Sequence, residues 1–366
     1  MNSSIIRFVL GYVLKVEAVL MLLPCIVAVL YQERTGFAYL LVAAIAMTLG
    51  TFMTIRRPKN HVFYLKEGCV ATALSWIFLS FFGALPFWIS GEIPSLIDAL
   101  FETVSGFTTT GSSILSDVEA LSHCALFWRS FTHWIGGMGV LVFLLAVIPL
   151  SGGSHINLMR AESPGPSVGK LVPKIKYTAQ ILYVIYLGMT VVEIILLLIS
   201  RMPVFDAITL SFGKAGTGGF GIKGDSIASY TALQQWIITI FMILFGVNFN
   251  AYYLILFRKF KKALQMEEVK AYFGIIFVST AVKFVTRSCP SKDMAKTETI
   301  NNIGPGLSMV GPDCNFGFFS DFSKLVIIFD MLAGRLELFP LLILFHPAIW
   351  KELFTQKITM RKKLKS

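Results

Sequence analysis

The sequence predicts an all-α, polytopic membrane protein built from repeated helix, pore-loop, helix units around a central pore, an arrangement like that of potassium channels. Three observations predict it. The 366 residues are 55% hydrophobic and 14% charged, with a mean hydropathy of +0.71, too apolar for a soluble globular chain. Uncharged runs of membrane-spanning length alternate with short basic clusters. Finally, the chain matches itself at an offset of 108 residues.

A helix needs about 20 apolar residues to cross the hydrocarbon. The first candidate is residues 18–32, continuing an apolar run from Ile5 that is interrupted by Arg7, Lys15 and Glu17. Its length, and the absence of small residues around LLPC at Leu22 to Cys25, favour a retained span over a cleaved signal peptide. Further uncharged runs cover 35–55, 68–91, 130–159, 177–200 (interrupted only by Glu193) and 226–257, each able to hold one helix. The formal charge of +11 does not imply nucleic acid, because Lys and Arg gather between these runs. Arg56, Arg57, Lys59 and Lys66 form one cluster, Arg160, Lys170, Lys174 and Lys176 a second, Arg258, Lys259, Lys261 and Lys262 a third, and Arg361, Lys362, Lys363 and Lys365 a fourth. By the positive-inside rule these face the cytoplasm. Glu92, Asp98, Glu102, Asp117 and Glu119 then fall on the outer side, either as a cation-concentrating mouth or as ordinary solvated loop acids. The cysteines, Cys25, Cys69, Cys124, Cys289 and Cys314, show neither CxxC nor paired His spacing, so no zinc site or disulfide framework is expected.

The offset of 108 aligns Lys66 with Lys174, Leu74 with Leu182, Asp98 with Asp206, Ala99 with Ala207, Thr109 with Thr217, Gly111 with Gly219, Asp117 with Asp225 and Trp128 with Trp236. Within the duplicated unit, LIDALFETVSGF and VFDAITLSFGKA are too short and too polar to cross, and each leads into a Thr/Gly turn. That is the outline of a pore loop. Non-helical backbone at membrane depth must be buried in protein or line a watery path. A short helix aiming its partly negative C-terminal end inward favours a cation, and a Gly-containing turn can present carbonyls that replace its hydration shell. Thr109, Thr110, Gly111 and Ser112 form one such segment, with Thr217, Gly218, Gly219 and Phe220 its counterpart. Close helix packing is the other use of small residues in membranes. Gly216, Gly218 and Gly221 also satisfy G-x-G-x-x-G, but nothing before them reads as a strand, so the match is taken as accidental.

FETVSGFTTTG, LFWRSFTHWIGGMGVLVF (126–143), AGTGGF (215–220), NFNAYY (248–253), NNIGPG (301–306) and GRLELFP (334–340) together resemble the Trk/Ktr/HKT superfamily of potassium transporters, in its TrkH branch. The resemblance implies four successive helix, pore-loop, helix units in one chain, pseudo-fourfold around a single pore, with two extra N-terminal helices. Carried over by motif, the filter glycines are Gly111, Gly219 and Gly304. Thr109, Thr110, Ser112, Thr217, Gly218, Asn302 and Ile303 are implied to supply further ligands, and Arg335 to face the conduction path below the filter. An intramembrane arginine is costly and generally faces an interior or a watery cavity, although Asp330 and Glu337 nearby also allow simple neutralisation.

The chain departs from this pattern after residue 268. A constant period would place filter glycines near 327 and 435, yet AYFGIIFVSTAV is followed by the polar KFVTRSCPSKDMAKTETI and then by NNIGPG. Roughly one unit, the third, is missing by family comparison. The implied layout is residues 1–60 for two N-terminal helices, 61–160 and 161–262 for the first and second units, 263–300 for a truncated outer helix and aberrant junction, 301–350 for a fourth-type filter and inner helix, and 351–366 for a basic cytoplasmic tail. Three recognisable filter segments do not close a fourfold ring.

The function implied is potassium uptake across the cell (inner) membrane by the pore subunit of a Trk-type system, with potassium as the ion and no organic cofactor. Proton or sodium symport is not legible in the residues. Implied partners are a second copy of the chain, a cytoplasmic nucleotide-binding regulatory subunit of TrkA type, and membrane lipid, with no nucleic acid. The basic loops at 160–176 and 258–262 suit either that subunit or the membrane surface. Two alternatives stand beside this: a secondary transporter with broken helices, whose repeats are commonly inverted rather than parallel, and an inactive, internally deleted gene product. No enzyme is expected, since His61, His123, His133, His155 and His346 form no HExxH and no G-x-S-x-G occurs.

Overall fold

The computed structural model describes residues 3–56, 58, 65–139, 175–224, 226–274, 276 and 316–336, which are helices and turns with no strand among them. Helices α1 (Ser3–Leu20) and α2 (Leu22–Leu30) together form a 28-residue apolar stretch, and α3 (Gly36–Thr54) packs back on α1. Contact is made backbone to backbone. A methyl group on Gly11 would lie 2.9 Å from the Gly50 carbonyl oxygen, and one on Gly50 would lie 2.7 Å from that of Gly11. Small residues thus let two helices approach where lipid offers no hydrophobic drive.

The next unit is α4 (Leu65–Ile89), the short α5 (Leu96–Phe107) and α6 (His123–Met138). Helix α5 coincides with LIDALFETVSGF. It starts where Ser95 Oγ accepts from Asp98 N–H at 3.3 Å, an N-cap that satisfies a donor left over by the helix. Ser122 caps α6 in the same way. Glu33, in the turn between α2 and α3, reaches the α6 terminus, its carboxylate accepting from His123 N–H at 2.8 Å and Cys124 N–H at 2.9 Å. A carboxylate at a helix N-terminus is favoured by the dipole and ties the N-terminal hairpin to this unit. Arg129, which bounds an uncharged run in the sequence, lies inside α6. The rest of that run, 140–159, lies outside the described residues.

The following unit repeats the order with α7 (Ile175–Ile199) and the short α8 (Val204–Ala215). Helices α5 and α8 each have 12 residues and begin and end 108 positions apart. The run 226–257, expected as one helix, is instead two, α9 (Ala232–Gly246) and α10 (Phe249–Leu256), bent by 89°. At the break Val247 is extended, and Asn248 caps α10 by accepting from Asn250 N–H at 2.9 Å. The carbonyls freed at the end of α9 are met by tyrosines: Tyr252 donates to Leu244 O at 2.7 Å and Tyr272 to Ile243 O at 3.0 Å. A short α11 (Phe260–Gln265) follows, then helical residues 267–274, a 3-10 turn at Phe316–Phe318, and α12 (Asp321–Leu336).

Four helical stretches among the described residues are long and apolar enough to cross a membrane, or five if the bent pair is one span. Their interior is aromatic. Phe107 and Tyr39 each meet the Trp128 ring edge-on at 6.3 Å, and Trp128 Nε1 donates to Gly83 O at 3.0 Å, joining α3, α4, α5 and α6. Outward faces are apolar too: on α7, Val184, Leu187, Val191 and Ile195 form an exposed stripe at helical spacing, as a lipid-facing helix requires.

Candidate ion-conduction site

Helices α5 and α8 end in the same turn. Thr108 caps α5, donating to Val104 O at 2.8 Å, then Thr109 N–H bonds Gly106 O and Thr110 N–H bonds Ser105 O, both at 3.0 Å. This is a Schellman ending, which normally places glycine in the left-handed position. Here that position is Thr109, at φ 59°; in α8 it is Thr217, at φ 57°, whose N–H bonds Lys214 O at 2.8 Å. Two residues further on, Gly111 and Gly219 have φ of 80° and 86°. A β-branched residue in left-handed backbone costs about 1–2 kcal/mol and persists only where its surroundings over-determine it. The strain occurs twice at matching register.

The two turns touch through backbone. A methyl on Gly111 would lie 1.7 Å from Gly218 O, and one on Gly218 would lie 2.8 Å from Thr109 O and 2.0 Å from His133 Nε2. No side chain fits at either glycine. The structure therefore brings together Thr109, Thr110, Gly111, Thr217, Gly218 and Gly219, with Ser112 following on the buried first turn, whereas Thr217 is exposed and Gly219 half-buried. Asn302, Ile303 and Gly304 lie outside the described residues, and Arg335 sits in the last turn of α12.

A buried ion pair, not singled out by sequence, braces both turns. Arg129 Nε donates to Glu102 Oε1 at 2.5 Å, both side chains being inaccessible to solvent. Glu102 also accepts from Ser113 Oγ at 2.9 Å and Ile114 N–H at 3.0 Å, fixing the exit of the first turn. Arg129 Nη1 donates to Gly221 O at 2.8 Å, and its guanidinium lies 3.5 Å from the Phe220 ring centroid, fixing the exit of the second. The signal was available: opposite charges inside otherwise apolar segments require partners.

The outer acids are mostly structural. Glu102 pairs with Arg129, Asp98 with Lys324 of α12 at 2.5 Å, Glu92 accepts from Ser122 N–H at 2.9 Å, and Glu119 from Gly224 N–H at 3.1 Å. Four of the five expected outer acids thus hold parts of the fold together, while Asp117 and Glu119 are exposed. Two glycines in HWIGGM were also passed over. A methyl on Gly136 would lie 2.0 Å from Phe107 O, and one on Gly137 would lie 3.0 Å from Gly216 Cα, so α6 is wedged against the ends of both short helices.

Residues 35–286 match the sequence model of the TrkH family, described as "Cation transport protein". The chain belongs to the TrkH family. It is 33% identical to the Trk system potassium uptake protein TrkH of Escherichia coli K12 over 77% of this chain and 59% of that protein, so it spans about three fifths of that relative. An uncharacterized cation transporter of Methanocaldococcus jannaschii is 30% identical over 90% of this chain and 67% of its own length. The TrkH of Salmonella typhimurium aligns at 27% identity with 96% of this chain and 100% of its own length. That alignment runs over 488 positions although the chain has 366 residues, so more than a hundred positions of the relative have no residue opposite them. The crystal structure of the potassium transporter TrkH from Vibrio parahaemolyticus superposes with a TM-score of 0.70 at 22% identity, covering 96% of this chain, and shows the shared fold. As a member of this family with apolar helices of spanning length, the chain is a membrane protein.

Proposed function

We propose that this TrkH-family chain takes up potassium ions across the inner membrane as the pore-forming subunit of a Trk-type system. The observation that carries the reading is the duplicated left-handed Thr turn, its two copies in backbone contact at Gly111 and Gly218. In this reading Thr109, Thr110, Gly111 and Ser112, with Thr217, Gly218 and Gly219, are filter ligands, Asn302, Ile303 and Gly304 supply a further segment, and Arg335 lies on the path below. Dehydration of the ion is offset by backbone oxygens. An inside-negative potential drives entry, at about 2.3 kcal/mol per charge per 100 mV. The proposed partners are a second copy of the chain and a cytoplasmic nucleotide-binding subunit of TrkA type, with the parallel units running as residues 61–160 and 161–262.

Complementation tests this. Expressed in cells lacking potassium uptake, the chain is expected to restore growth and rubidium influx at low external potassium. Growth equal to that with empty vector, with the protein present in the membrane, would sink the proposal. Gly111→Ala should keep the protein in the membrane while reducing potassium over sodium discrimination at least about tenfold, because its methyl displaces the Gly218 carbonyl.

A further inference from the structure

The second turn differs from the first by a charge. Position 214, 108 residues after Gly106, is lysine. At Gly106 a methyl would lie 2.1 Å from Thr132 Oγ1, so the first unit has no room for a side chain there. In the second unit the Lys214 side chain is accommodated and is only 3% exposed. Its Nζ donates to Gly219 O at 3.1 Å. An ammonium group on a backbone carbonyl makes the interaction that a monovalent metal ion makes there, a full positive charge against an amide dipole.

Two further features point the same way. Lys214 lies in the last turn of α8, so its charge already meets the partly negative helix end that otherwise favours an incoming cation. Glu193 of α7 is fully buried with neither carboxylate oxygen hydrogen-bonded, and Lys214 is the charge that acts on it. Burial disfavours the charged form of Lys214, and Glu193 partly offsets that penalty.

We propose that Lys214 is a tethered cation of the second turn: its ammonium holds the Gly219 carbonyl in place of a mobile monovalent cation and weakens cation binding at that turn relative to the first. This rests on the reading of the two turns as filter segments. It makes Lys214 a determinant of affinity, acting through like-charge repulsion and through occupation of a ligand oxygen.

The test is equilibrium binding of thallium(I), a spectroscopically convenient monovalent cation, to the purified full chain in detergent. Lys214→Met and Lys214→Gln are expected to bind at least about tenfold tighter than the unaltered chain, with Lys214→Arg unchanged. The double variant Lys214→Met with Glu193→Gln leaves no uncompensated carboxylate and gives the same readout if the single variants fail to fold. Neutral variants that bind as the unaltered chain does, or more weakly, while Gly219→Ala abolishes binding, overturn the tethered cation and leave the filter reading intact. Absence of binding in every variant and in the unaltered chain fails the filter reading and this inference with it.

Discussion

Glu102 serves two chain segments and one cation with two oxygens. Oε1 takes Arg129 Nε, Oε2 takes Ile114 N–H, and Ser113 Oγ lies within hydrogen-bond distance of both. Removing one partner of a buried pair leaves an uncompensated charge, at a cost of about 3–5 kcal/mol. Arg129→Gln is therefore expected to destabilise the chain by that amount in denaturant unfolding from micelles. Glu102→Gln combined with Arg129→Gln should lose less than the sum of the two singles, a coupling of roughly 1–3 kcal/mol. Thr109, Gly111, Thr217 and Gly219 were legible in the sequence because a turn makes local demands that recur with the repeat. Glu102 and Arg129 were not, because they are 27 positions apart and pair only in space. Counted among the outer acids, Glu102 looked like its neighbours on the chain rather than like the interior group it is.

At the scale of elements, α5 and α8 could be read to their termini, since Ser95 and Pro203 mark their starts and a Thr/Gly turn follows each end. The break between α9 and α10 could not, because no charged residue interrupts 226–257 and an uncharged run of that length reads as one span. The physical signal is Gly246 followed by a capping asparagine. Asn248→Ala removes that cap and the hydrogen bond from Asn248 Nδ2 to Glu268 Oε2. A loss of about 1 kcal/mol is expected, seen as faster amide exchange confined to residues 248–256. Helix α6 gives a sharper contrast. Gly136→Ala drives a methyl to 2.0 Å from a backbone oxygen, whereas a methyl on Gly188 of α7 meets nothing within 4 Å. Overpacking should cost the first variant about 1–3 kcal/mol, while Gly188→Ala should be neutral or stabilising by up to about 1 kcal/mol. Thermal unfolding of the two variants side by side checks the pair.

For the molecule as a whole, the first unit sits in contact with the second unit and with α12. On one side α6 packs on α8; α5 packs on α12, with Phe316 N–H donating to Ser113 O at 2.8 Å and Lys324 paired with Asp98. Asp98 keeps some solvent contact, so Lys324→Met is expected to cost only about 1–2 kcal/mol. Its signature should be selective release of α12, measured as increased protease access at residues 319–323 with α5 and α6 still protected. The succession of helices was legible from hydropathy, but the environment of each face was not. Trp128 and Trp236 align in the repeat, yet the first is buried and the second is 66% exposed. Equivalent positions share a backbone path without sharing neighbours, and only neighbours decide burial.

The paired threonine turns have a consequence for experiment. One polypeptide carries the same left-handed ending twice, once above a glycine at 106 and once above a lysine at 214. Both copies share every solution condition, detergent and temperature. A perturbation that moves Thr109 and Thr217 alike reports on the backbone conformation itself, and one that moves a single copy reports on the side chains around it. The molecule supplies its own reference state.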